Sequence, residues 1–252
     1  MRAAHVRCGR TRYIFDDALG ESPPDWIFEP RALYARNRVI ERGGGRGTVL
    51  FIDSGTGDGE QWALRHYVRG GSVARVFGDR YWWNGLEETR AWREWRFTSE
   101  LFDTGLPVAR PVAGRVIRQG PLYTADFITV RVPDARSLDD CLSAGDVDPR
   151  TWRAVGATIR RFHDAGAWHS DLNSRNILIG PDPDNVHIID WDRGEWRPTA
   201  ARDWRTANLD RLKRDFEKRL RIKERWGYTP EAYGWMLEGY GSGERREARG
   251  EG

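Results

Sequence analysis

The chain has 252 residues, 39% of them apolar, and its 41 basic and 38 acidic side chains leave a formal net charge of +3. That length and composition support one large domain or two lobes with real cores, and they exclude a disordered or collagen-like chain. No run nears the roughly 20 apolar residues of a membrane span, the opening MRAAHVRCGRTRYIFDD holds no secretory h-region, and two cysteines, Cys8 and Cys141, fit a reducing compartment.

Residues 1–30 are expected as an extension, irregular around the paired prolines of DDALGESPPDW. From Val39 the pattern becomes strand-like. VIER leads into the glycines at 43, 44, 45 and 47, TVLFI (48–52) has β-branched and aromatic character, and QWALRHYV (61–68) alternates. Residues 84–103 carry Leu86, Trp92, Trp95 and Leu101 near helical spacing, and GLPVARPV ends that helix. RVIRQ and LYTADFITVRV read as two strands across Gly120-Pro121. Beyond residue 132 the text turns helical. Asp148-Pro149 starts a helix through Trp152, Val155, Ile159 and Phe162. ILIG, the turn PDPDN and VHIID make a hairpin, and 209–226 form a helix with Leu209, Leu212, Phe216 and Leu220 on one stripe. The sum is an α+β chain of two lobes around a cleft: an extension (1–30), a β-rich front lobe (31–131), a helical back lobe (132–240) and a flexible tail (241–252).

Lysine occurs only at 213, 218 and 223, so 38 of the 41 cations are arginine. Any contact before position 213 that calls for a lysine must use arginine instead. The thirteen tryptophans suit core packing or a membrane-interface belt.

The chemistry concentrates in HSDLNSRN (169–176), directly ahead of the apolar run Ile177–Ile179. Polar side chains that feed into a buried strand are held by a rigid element. One reading is a metal site, since His169 and Asp171 could share an ion with His163 nearby, but no Cys or Glu completes the set. The other reading uses the hairpin, which returns the chain to Asp190 beside the loop that began it. H-x-D-x4-N, a hairpin and a second aspartate together resemble the catalytic core of the protein-kinase-like superfamily. The resemblance implies ATP as donor, Asp171 as the base that accepts the acceptor's hydroxyl proton, and Asn176 and Asp190 as ligands of Mg²⁺. Oxygen ligands suit that hard cation. His169 would support the loop. Trp191-Asp192 stands where the superfamily has Phe-Gly, and Asp192 adds a carboxylate near the metal.

The front lobe carries the nucleotide half of the same pattern. The turn Gly43–Gly47, with Gly45 and Gly47, offers backbone N–H groups to phosphates. Arg65 in W-A-L-R takes the place of the phosphate-binding lysine. Its expected partner is Glu94 in mid-helix, whereas Glu87 and Glu88 read as first-turn charges. Arginine is a planar fork where lysine is a point charge. Either the site is shaped for it, or the protein is a pseudokinase that binds nucleotide or membrane without turnover. Asp171, Asn176 and Asp190 together argue for activity.

GRGT (45–48), LRHYVRGG (64–71), DRYWWNGLEETRAWREW (79–95), GLPVARPVA, HSDLNSRNILI and IIDWDRG look most like the 3-deoxy-D-manno-octulosonic acid (Kdo) kinases of Gram-negative bacteria, relatives of the lipopolysaccharide heptose kinases. The resemblance covers roughly residues 39–195, and Arg65 belongs to that family's pattern. It implies phosphorylation of the 4-hydroxyl of Kdo on a lipid A precursor, by a peripheral enzyme at the cytoplasmic face of the inner membrane. Arg69, Arg75 and Arg80, among Tyr67, Phe77, Tyr81, Trp82 and Trp83, suit such a charged surface or simply cover a packed helix. The stretch 197–225, with eleven basic and five acidic residues, suits anionic lipid or a solvated helix face. A heptose or aminoglycoside kinase is the alternative, though a cationic aminoglycoside would want an acidic cleft. No nucleic-acid motif is visible and no protein partner is implied.

Overall fold

In the computed structural model, which describes residues 1–43, 49–68, 78–145, 147–201 and 203–247, the chain divides into two units. The first comprises 1–103 and 109–131, the second 104–108 and 132–252.

In the first unit, strands β1 (Ala3–Cys8) and β2 (Thr11–Asp16) form a hairpin across Gly9-Arg10, with Gly9 at φ 58°. The opening is therefore ordered sheet up to residue 16, and irregular structure begins only near the prolines. A two-residue turn between β-forming segments was the signal for it. Next come helix α1 (Pro30–Ala35) and strands β3 (Val39–Arg42), β4 (Val49–Asp53), β5 (Gln61–His66) and β6 (Tyr81–Trp82). Helix α2 (Arg90–Asp103) and strands β7 (Pro111–Gln119) and β8 (Leu122–Val130) complete the unit. The antiparallel sheet runs β1-β2-β7-β8-β5-β4-β3, with β6 on β8.

Period-two alternation sorts its side chains into two cores. Tyr13, Phe15, Leu64 and Ile128 pack with Phe28 and Leu33 beneath α1, while Ile14, Ala125 and Phe127 pack with Ala91, Trp92 and Trp95 of α2. A Cβ at Gly114 of β7 would lie 3.3 Å from Ala91 Cβ, so glycine lets α2 settle on the sheet. The helix begins at Arg90, later than its apolar spacing predicts, after a turn closed by Thr89 N donating to Leu86 O at 3.0 Å. Glu87 and Glu88 thus precede the helix.

The second unit holds β9 (Arg136–Ser137), α3 (Leu138–Ala144), α4 (Pro149–Asp164), β10 (Ala167–Trp168), β11 (Ile177–Ile179), β12 (Val186–Ile188), β13 (Glu195–Trp196), α5 (Asp203–Ile222) and α6 (Pro230–Glu247). Asp148 caps α4 by accepting from the N–H groups of Arg150 and Thr151, with Pro149 at the first position. The hairpin pairs Ile177–Ile179 with Val186–Ile188. Helix α6, which the sequence pattern missed, crosses α4 at two glycines. A Cβ on Gly156 would meet Met236 O at 1.9 Å, and one on Gly239 would meet Arg153 O at 2.0 Å. Seven tryptophans, among them Trp92, Trp95, Trp152 and Trp191, are buried, which favours the packing reading, and Trp82 and Trp196 stay exposed.

Candidate active site

In the first unit, β5 carries Arg65 on the face that α2 covers. Its guanidinium donates to Glu94 Oε2, and Tyr67 Oη donates to the same oxygen at 2.5 Å. The Arg65 guanidinium also lies 4.9 Å from the Tyr67 ring. The Glu94 side chain is 2% exposed and that of Arg65 22%. A carboxylate buried that deeply needs such partners to stay ionised at modest cost. Glu87 and Glu88, by contrast, pair with Arg96 and Arg93 at exposed positions. Gly45, Gly47, Arg69, Arg75 and Phe77 lie outside the described residues. Trp83 packs on Tyr123, and Tyr81 Oη accepts from Arg90.

In the second unit, the stretch after β10 is folded by its own polar groups. His169 Nδ1 accepts the Asp171 N–H at 3.0 Å, so the ring proton is on Nε2, which donates to Ile189 O at 3.0 Å. Burial lowers its pKa, and the imidazole is neutral. Asn173 Nδ2 donates to Asp171 O at 2.8 Å and its Oδ1 accepts from Arg175 N at 2.9 Å. Asn176 Nδ2 also donates to Asp171 O, at 3.0 Å. A carbonyl can only accept, so this bond fixes the amide and leaves Asn176 Oδ1 as the atom open to a cation.

The chain beyond the hairpin is tied to this loop. Ile189 N donates to Asn176 O at 2.9 Å, and Ser170 Oγ donates to Asp192 O at 2.7 Å. Between those two bonds sits Asp190, half-buried at φ 66°, a left-handed conformation that costs a non-glycine residue about 1 kcal/mol. Trp191 stacks on Phe162 with centroids 4.8 Å apart and meets His169 edge-on at 4.6 Å. The indole thus fills the hydrophobic place behind the loop, and Asp192 is buried. An amide oxygen on Asn176 and a carboxylate on Asp190, carried by segments that backbone bonds tie together, are donors of the kind that suits Mg²⁺, which takes few protein ligands. The histidine-metal reading fares worse. His169 has both nitrogens engaged, and His163 bonds Tyr240 Oη and Asn208 Oδ1, its pKa lowered by burial to about 4.

Sequence reasoning found the helix that is α5 (Asp203–Ile222) but missed its polar contacts with this loop. Asn208 Nδ2 donates to His169 O at 2.8 Å, Arg211 donates to Asp171 Oδ1, and Asp215 Oδ2 accepts from Ser174 N and Oγ at 2.9 and 2.7 Å. Burial would raise the Asp215 pKa, but the bonds from Ser174 and Arg219 outweigh it and hold the group below its ordinary range. Arg219 in turn bridges Asp215 and Asp139. Residues 208, 211, 215 and 219 follow helical spacing, so they form one polar stripe that splints the loop. Leu220, expected on the buried stripe, is exposed.

The profile of the Lipopolysaccharide kinase (Kdo/WaaP) family matches residues 32–240. The chain belongs to this family. A 3-deoxy-D-manno-octulosonic acid kinase of Vibrio cholerae is 39% identical over 206 residues, 82% of this chain and 85% of that protein. One of Xanthomonas oryzae pv. oryzae is 42% identical, covering 81% and 80%. One of Haemophilus influenzae is 37% identical, covering 77% and 81%. As a member of the Kdo/WaaP family the protein has a kinase-like α+β fold and is a phosphotransferase acting on a hydroxyl group, with ATP the donor that a kinase family implies. Among the described residues no helix is long and apolar enough to cross a membrane.

Proposed function

We propose that the protein transfers the γ-phosphoryl group of ATP to the 4-hydroxyl of Kdo on a lipid A precursor, as a peripheral enzyme at the cytoplasmic face of the inner membrane in lipopolysaccharide core biosynthesis. The names of the relatives support the acceptor. The observation that carries the chemistry is the lashing of Asp171, Asn176 and the Asp190 segment into one loop, with Asp171 left half-exposed.

Asp171 accepts the proton of the sugar hydroxyl as its oxygen bonds to the γ-phosphorus, and the bond to the β–γ bridging oxygen breaks to release ADP. Asn176 Oδ1 and the Asp190 carboxylate would hold Mg²⁺, which when bound would neutralise charge on the phosphates. Arg65, set by Glu94, contacts the ATP phosphates, and Gly45 and Gly47 cradle them through backbone N–H groups. The first unit then serves the nucleotide, and the second serves the acceptor and the metal. The test is transfer from labelled ATP to a Kdo-bearing lipid A precursor in detergent with Mg²⁺. Label on Kdo with wild type supports the reading, and label confined to heptose or another sugar overturns the acceptor.

A further inference from the structure

We propose that the outer arc of α5 is a docking surface for an anionic lipid membrane. This deepens the acceptor reading above and rests on it for the choice of a lipid occupant. At about 100° per residue, Arg211, Arg214, Lys218, Arg221 and Ile222 fall within an arc of roughly 100°, about 16 Å long. The arc begins at Arg211, on the Asp171 carboxylate, and ends at Ile222, which is 69% exposed.

The other two sides of the helix are occupied. Asn208, Leu212, Asp215, Phe216 and Arg219 face the interior. Asp210 and Glu217 lie close enough to Tyr233 of α6 to help burial raise its phenol to about 12, and Lys213 sits 5.5 Å from the same ring. Arg214, Lys218 and Arg221 are exposed and form no ion pair with any described residue. Several other arginines of this unit have carboxylate partners, as in Arg150–Asp184, Arg153–Glu238, Arg160–Asp164 and Arg205–Asp164. Three adjacent uncompensated cations complement a negatively charged surface. The bare aliphatic side chain at their end favours lipid over nucleic acid, since it gains from a headgroup–acyl boundary and nothing from a phosphodiester backbone. The arc would place Asp171 at the membrane, where a lipid-anchored sugar is met.

The experiment uses the full chain and co-sedimentation with phosphatidylglycerol–phosphatidylethanolamine vesicles, against neutral phosphatidylcholine vesicles. Each basic side chain at an anionic surface contributes about fivefold, so the triple variant Arg214→Glu/Lys218→Glu/Arg221→Glu should bind roughly 100-fold more weakly. It should keep the wild-type melting temperature and its transfer to a deacylated, water-soluble Kdo acceptor, while losing transfer to the vesicle-embedded one. Ile222→Ser should weaken vesicle binding severalfold. The proposal is overturned if wild type ignores anionic vesicles, if the triple variant binds them normally, or if only polynucleotide binding is lost. Vesicle binding by a wild type that phosphorylates neither acceptor would overturn the Kdo reading and leave the docking surface standing.

Discussion

Glu94 meets Arg65 beneath a helix and a sheet, whereas Asp171 meets Arg211 at the half-exposed edge of a loop, with side chains 50% and 47% exposed. The first pair is fixed by what surrounds it, since β5 and α2 bring the partners together and Tyr67 adds a third bond. The second is fixed by a chain of hydrogen bonds from Asn173, Asn176, His169 and α5. A buried pair is costly to break because one charge is stranded. An exposed pair adds little stability, yet it can decide where a carboxylate oxygen points. On the proposed function, the buried contact would serve stability as well as ATP binding, and the exposed one would serve turnover.

The largest expected effect breaks the exposed side of this contrast. Asp171→Asn preserves shape and removes the proton acceptor, so transfer should fall by roughly 10²–10⁴-fold with the melting temperature nearly unchanged. Normal turnover in a radiometric assay would remove Asp171 from the role of base. Next comes Glu94→Gln, which strands Arg65. Unfolding stability should drop by about 3 kcal/mol, the low end for a buried pair because Arg65 is partly exposed, and KM for ATP should rise. Denaturation at wild-type midpoint would show that the pair is not structural.

Arg211→Ala sharpens the comparison from the other direction. It should lower kcat about tenfold, leave KM for ATP unchanged and alter stability by less than about 1 kcal/mol, with Arg211→Lys recovering part of the rate. If instead stability collapses while kcat holds, the two pairs are alike and the contrast fails.

The same two regions differ in how much of them was legible in sequence. Arg65 and Glu94 were readable because the resemblance to the kinase pattern singles them out on a strand and a helix that periodicity reveals, and the loop H-x-D-x4-N was readable because its spacing is local. Arg211, Asn208 and Asp215 were not, because α5 was read for its leucines and a polar stripe gains meaning only once a loop lies against it. Helix α6 was obscured by Gly234, Gly239 and Gly241, residues that weaken any helical pattern. At Gly239 the reason is tertiary, for the α4 backbone leaves no room for a Cβ. The β1–β2 hairpin was overlooked because the prolines that follow it dominated the reading of the first thirty residues.

The smallest expected effect concerns a charge next door to Arg65 on β5. His66 bonds Asp126 through Nδ1 at 2.6 Å and Asp79 through Nε2 at 2.8 Å, while Arg115 donates to Asp126 at 2.9 Å. The bond to Asp126, reinforced by Asp79 against the opposing effect of burial, raises the imidazole from 6.5 to about 9. A folded-state pKa above the unfolded one means stabilisation that is complete below about pH 6.5 and lost as pH rises through 9. His66→Gln should therefore cost stability at pH 6, flatten the decline in melting temperature toward alkaline pH, and converge with wild type near its upper end. Parallel curves would mean that His66 does not titrate in this window. Convergence would show that a third charge cluster in the first unit acts as the Glu94 pair does, through stability, since His66 and Arg65 are adjacent residues with different carboxylate partners.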